Sequence, residues 1–227
     1  MPGHGYTNKA FIMKALVNND LAELRAISNF YYNLNGVYER ICNYFAYLYR
    51  YDWYVAPEVI DESVKEEKVL KDFVKVLNFL DNSYIKKICG DIALCVIKNG
   101  CYYGYIVPSS DGILLQDLPV GYCRSRYQVA GMPAVEFNMK FFDTFRDINY
   151  RMRVLNLFPD EFKKGYLLYK QGKLLPDYQG DNDGSWYLLD PENTIKFNNN
   201  GSDVPSLVNA IPALLDLDAA QDLDRRK

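Results

Sequence analysis

FYYNLNGVYERICNYFAYLYRYDWYV, residues 30–55, holds eight tyrosines in twenty-six residues, with Phe30, Phe45 and Trp53 beside them. Asn33 to Gly36 interrupts it, glycine being the residue that takes a left-handed backbone at least cost. The stretch therefore reads as the end of one helix, a break and a second helix. At roughly 100° per residue, Val37, Tyr38, Ile41, Cys42, Tyr44, Phe45, Ala46, Leu48 and Tyr49 fill more than half of the second wheel. Glu39, Arg40, Asn43 and Arg50 crowd the remainder. A surface helix needs an apolar stripe of about 100°, so this one calls for cover on two sides. By the wheel, Val37, Ile41, Tyr44 and Leu48 are expected to face the chain's own core. Tyr38, Cys42 and Tyr49 form the flank expected to meet another subunit.

Upstream, LAELRAISNFYYN (21–33) has helical periodicity, with Leu21, Leu24, Ile27, Ser28 and Tyr31 on one side. Residues 1–20 read as a loosely held arm in which 10–18 can form a short helix. Downstream, Pro57 bars helix continuation, and Ser63-x-x-Glu66 is a capping-box pattern. The helix it opens turns Val69, Leu70, Phe73, Val76, Leu77 and Leu80 inward. A further helix over 83–98 ends at Asn99-Gly100. The period then changes to two: CYYGYIV, the turn PSSDG and ILLQDL predict a hairpin. Strand-like runs follow at 122–128, 134–139, 185–190 and 194–199, with a helix from Pro159 to about Lys170 between them. IPALLDLDAAQDLDRRK (211–227) starts a last helix. Helices, then antiparallel strands with an inserted helix, then a helix describe an α+β chain.

Composition bounds the function. The chain has 227 residues, about half of them apolar, and a formal charge of −3, enough for a core and too little for a broad nucleic-acid-binding face. Ten acidic residues lie between Asp177 and Asp224 against the single base Lys196, a field that repels phosphate. Five cysteines without a CxxC pair read as reduced thiols of a cytosolic protein, and no signal peptide or membrane span is evident. His4 is the only histidine, which leaves no His-based triad or metal cluster to expect. There is no phosphate loop. DNDG (181–184) would place Gln179 and Asp190 at the ends of a calcium loop, but an acidic turn is the plainer reading. Tyr122, Arg124 and Arg126 on one strand face could contact nucleic acid, or simply form a polar strand face, which is the reading favoured. No catalytic residue, cofactor or metal site is expected.

Three segments together carry a resemblance. LRAISNFYYNLNGVYERICNYFAYLYRYDWYVAP (24–57) contains Ile27-Ser28, Tyr31-Tyr32, Asn35-Gly36, Tyr38, Arg40, Tyr51-Asp52 and Pro57. NGCYYGYIV (99–107) has Gly104 within an aromatic strand. LQDLPVGYCR (115–124) supplies Leu118, Pro119, Tyr122, Cys123 and Arg124, with Gly121 where an acidic residue is common. In this order they resemble the N-terminal, wing part of portal proteins from tailed bacteriophages of Gram-positive hosts. PSLVNAIPALLDLD (205–218) resembles that family's approach to its next domain.

The resemblance implies a structural, non-enzymatic subunit of a ring, typically of twelve copies, at one capsid vertex of the virion. It implies assembly in the host cytoplasm and passage of double-stranded DNA without sequence specificity during packaging and ejection. The implied partners are further copies, the major capsid protein, the terminase and a head–tail adaptor, with no membrane. The implied organisation is an arm (1–20), a wing-like body (21–210) and the start of a stem-type helix (211–227), the remainder of the portal being missing. The alternatives are another phage head or tail structural or adaptor protein, and a small carboxylate-based metal-dependent nucleic-acid enzyme.

Overall fold

The structure, a computed structural model, describes residues 5–48, 54–56, 66–109, 112–174 and 183–225. Five helices come first: α1 (Lys9–Asn18), α2 (Leu21–Leu34), α3 (Gly36–Tyr47), α4 (Glu66–Asn82) and α5 (Ile85–Asn99). Strands β1 (Cys101–Pro108), β2 (Ile113–Leu118), β3 (Cys123–Val129) and β4 (Met132–Asn138) follow. After them come α6 (Lys140–Asp143), α7 (Ile148–Leu157), α8 (Asp160–Lys170), β5 (Trp186–Leu188), β6 (Thr194–Asn198) and α9 (Ile211–Arg225). The strands form two three-stranded sheets in the orders β2-β1-β6 and β3-β4-β5. β1 runs antiparallel to β2, and β4 antiparallel to β3 and β5. The α+β expectation is what the chain adopts.

Two compact units are present, Met1–Tyr102 with Phe197–Lys227, and Tyr103–Lys196. The expected single body over 21–210 is thus divided, because the chain leaves the first unit inside β1 and returns to it inside β6. The short helix expected within residues 1–20 is present as α1, and it is packed into the first unit. Asn8 caps α1 by accepting from the amides of Ala10 and Phe11, and Ile12 and Ala15 join the buried core of the first unit. That core also takes Leu24, Ile27 and Tyr31 from α2, Tyr38 and Cys42 from α3, and Val208 and Ile211 from the C-terminal segment. Gly100 shows why β1 can begin where it does. It sits at φ +81°, and a Cβ there would lie 2.0 Å from the carbonyl oxygen of Asp203, a close approach only glycine permits.

The second unit is organised around phenylalanines. Phe137 of β4 meets Phe162 of α8 edge to face at 5.1 Å, and Phe142 meets Phe158 at 5.2 Å, geometries that aromatic quadrupoles favour. β3 and β4 are joined by Ala130-Gly131, both with positive φ, the twist-matched two-residue connection of a hairpin. α7 has no counterpart in the expected elements. Asp147 caps it through the amides of Asn149 and Tyr150, but only Leu155 of α7 is buried, so its apolar periodicity is too thin to stand out.

Candidate functional site

The aromatic helix α3 is the element around which a site can be argued. Asn35 lies between α2 and α3 in extended conformation, and its side chain accepts from the amides of Val37 and Tyr38. This cap fixes the turn at which α3 starts and hence the side it shows to α2. Tyr38 is 1% exposed and Cys42 fully buried. The Tyr38 hydroxyl shares a 2.9 Å hydrogen bond with the buried Ser28 hydroxyl of α2, and its ring meets Tyr31. Burial raises the Tyr38 phenol well above its usual range, against the opposing Ser28 bond. It also pushes the Cys42 thiol up to about 11.

The two flanks of α3 are therefore the reverse of the expected ones. Val37 is 51% exposed, Ile41 37%, Tyr44 61%, Phe45 52% and Leu48 37%, while the supposed interface residues Tyr38 and Cys42 lie in the core. Tyr49, the third supposed interface residue, lies outside the described residues. The physical reason is polar satisfaction. A wheel ranks both flanks as apolar, but only the Tyr38 flank brings its hydroxyl to a buried partner. The demand for cover on two sides persists, with the exposed side now Val37, Ile41, Tyr44, Phe45 and Leu48.

Phe45 belongs as well to an apolar groove of about 600 Å³ in the same unit. Cys89, Ile92, Ala93 and Val96 of α5 line it together with Phe197 and Leu207. Sequence reading missed this groove. The one available signal was that α5 has a small-residue position at Gly90, where a Cβ would meet the Tyr47 ring at 2.6 Å. α5 thus packs against α3 at close range and leaves its Ile92 side open.

The remaining resemblance positions are scattered over both units. Tyr31 is buried and donates to the Tyr6 carbonyl, Tyr32 donates to Asn43, and Gly36 opens α3. Gly104 lies in β1 opposite Asp117, and Leu118 opposite Tyr103. Pro119 precedes a short 3-10 turn, the Tyr122 ring meets Phe141, and Cys123 is buried. Tyr51, Asp52 and Pro57 lie outside the described residues. Arg124 and Arg126 converge on one carboxylate, their Nε atoms 2.7 and 3.0 Å from Glu136 Oε2. Arg124 also stacks on Trp186 at 4.0 Å. This is a polar strand face tied to β4.

A second polar cluster joins α6, α7 and α8. Asp143 accepts from Tyr166, Tyr169 and Lys170, and Arg151 lies 3.5 Å from it. Burial alone would raise this carboxyl, but the hydrogen bonds from Lys170, Tyr166 and Tyr169 outweigh it and hold it below its usual range.

Among the described residues no group of three His, Cys, Asp or Glu side chains is arranged to hold a metal ion. At the former calcium-loop positions, Asp183 bonds Lys140 and Ser185, and Asp190 accepts from Glu192 and Asn193. Gln179 and His4 lie outside the described residues. Among those described, no helix is long and apolar enough to cross a membrane. Comparison with known protein families, with curated proteins and with solved structures yields no match.

Proposed function

We propose that this chain is a structural subunit, the wing part of a tailed-phage portal, assembling as a ring at one capsid vertex through which DNA is packaged and ejected. The observation that carries the reading is the uncovered apolar side of α3, five large side chains in a row on the helix that holds the portal-like signature. Contiguous exposed apolar patches mark protein–protein or membrane contacts or ligand grooves, and this reading takes the first. The ordered motifs around Gly104 and at Leu118-Pro119 support the same family, and the acidic C-terminal third suits a partner duplex that slides and is not clamped. In this reading the protein is not an enzyme, holds no cofactor, and meets further copies, capsid protein, terminase and adaptor within the virion. Negative-stain imaging of the purified protein tests it. Closed rings with a central hole are expected, and a uniform field of monomers overturns the reading.

A further inference from the structure

Cys95 and Cys101 meet at the joint where α5 hands the chain to β1. Gly100 closes α5 with its amide on the Val96 carbonyl, the left-handed cap in which the residue after the glycine comes back against the last turn. Cys101 is that residue, and Cys95 opens that turn. The Cys95 thiol donates to the Cys101 carbonyl oxygen at 3.6 Å, so the two residues are in direct contact. Each sulfur also receives a polar donor. The Asn99 amide lies 3.3 Å from Cys95 Sγ, its orientation set by Asn29, which donates to Asn99 Oδ1 at 2.7 Å. Arg25 Nη2 lies 3.3 Å from Cys101 Sγ, while Arg25 Nε holds the Asn99 carbonyl at 2.8 Å.

This arrangement suits thiol–disulfide exchange. A guanidinium beside a sulfur favours the thiolate, as does a hydrogen bond donated to it, and the thiolate is the attacking species. Access divides the two roles. Cys95 is half-buried, so a small reagent reaches it. Cys101 is fully buried, shielded from such a reagent but held against Cys95. Cys42, by contrast, has its thiol pushed up to about 11 by burial.

We propose that Cys95 and Cys101 are a redox pair that closes to a disulfide when the chain meets a low-molecular-weight disulfide, RSSR. The Cys95 thiolate attacks one sulfur of RSSR and expels one RS⁻, leaving Cys95 in a mixed disulfide. The Cys101 thiolate then attacks the Cys95 sulfur and expels the second RS⁻. The two protons given up by the protein thiols pass to the departing thiolates, so the chain loses two hydrogens and RSSR becomes two RSH. The new bond brackets Gly100 and ties the end of α5 to the start of β1, and an excess of RSH reopens it. The pair needs no ring, so it stands whether or not the chain is a portal subunit.

The test uses the full chain with Cys89→Ser, which removes the exposed thiol. The reduced, folded protein is exposed to glutathione disulfide, quenched in acid and weighed intact. This chain is expected to lose two hydrogens, with peptide mapping placing the link between Cys95 and Cys101, and dithiothreitol should restore the starting mass. Adding Cys101→Ser should trap the intermediate, with one glutathione retained on Cys95. Adding Cys95→Ser should leave Cys101 unreacted. Circular dichroism melts confirm that each variant is folded, and Cys101→Ala replaces Cys101→Ser should that variant fail to fold. A chain that takes up one glutathione and stops, or that reacts only once denatured, overturns the proposal. Closure that survives Cys101→Ser or Cys95→Ser overturns it too.

Discussion

Tyr38 and Tyr44, six positions apart on one helix, are the sharpest contrast at the scale of single residues. Tyr38 is packed against Tyr31 and bonded to Ser28, so Tyr38→Ala should cost about 3–5 kcal/mol of folding stability, as expected for truncating a buried aromatic. Tyr44→Ala should stay within about 0.5 kcal/mol, as surface changes do. Thermal melts of the two variants check this, and equal losses would mean the faces are misassigned. The thiols divide likewise. Cys42 is buried with its thiol pushed up to about 11, and Cys89 is exposed, so a native-state alkylation should mark Cys89 and spare Cys42, since reactivity needs an accessible thiolate. Mass mapping of the labelled peptides reads it out. Asp143 gives a pH signature. Its folded value is depressed, so its stabilisation is complete above the unfolded carboxylate value of about 3.9 and fades as pH falls through the folded one. Asp143→Asn should therefore destabilise at neutral pH, with the gap to wild type closing below about pH 3.9. A gap that widens on acidification would contradict the assigned hydrogen bonds.

At the scale of elements, the joints decide more than the helices and strands themselves. Gly100 ends α5 in left-handed conformation with the Asp203 carbonyl against it. Gly100→Ala should lose more than about 2 kcal/mol, combining the left-handed penalty with displacement of a backbone segment. Ala130 has φ +49° in the β3–β4 turn, a conformation asparagine tolerates better than alanine. Ala130→Asn should raise stability by about 0.5 kcal/mol, chemical denaturation reporting a higher midpoint with unchanged slope. The helices themselves were legible where one face was strictly buried. Leu24, Ile27, Ser28 and Tyr31 repeat at helical spacing in the sequence and line the core in the structure. α7 was not legible, because Leu155 is its one fully buried residue and Ile148, Tyr150, Met152 and Leu157 are exposed.

For the whole molecule, the two units make different demands on the chain. Tyr103–Lys196 is one continuous segment with its own phenylalanine core, and expressed alone it should melt cooperatively. Residues 1–102 alone should not, because they lack Val208 and Ile211, which complete the first core. Near-UV circular dichroism of the two fragments distinguishes the cases, and a folded 1–102 would show that α9 and the segment before it are dispensable. Nothing local in the sequence announces this division, since the boundary falls inside two strands and not at a Pro- or Gly-rich linker.

The sequence by itself determined the α+β order, the break at Asn35-Gly36, the hairpin after Gly100 and the excess apolar arc of α3. Each follows from periodicity, caps or turn chemistry within a few residues, interactions that need no distant partner. Tertiary structure alone decided which side of that arc is core. Both flanks are apolar, and the choice was made by Ser28, ten residues earlier, offering a buried partner to the Tyr38 hydroxyl. It likewise decided that Lys9–Asn18 is docked and that α5 leaves a groove, through contacts with Val208, Ile211 and Leu207. Those partners lie far along the chain, and only folding brings their buried area and hydrogen bonds to bear on the N-terminal helices.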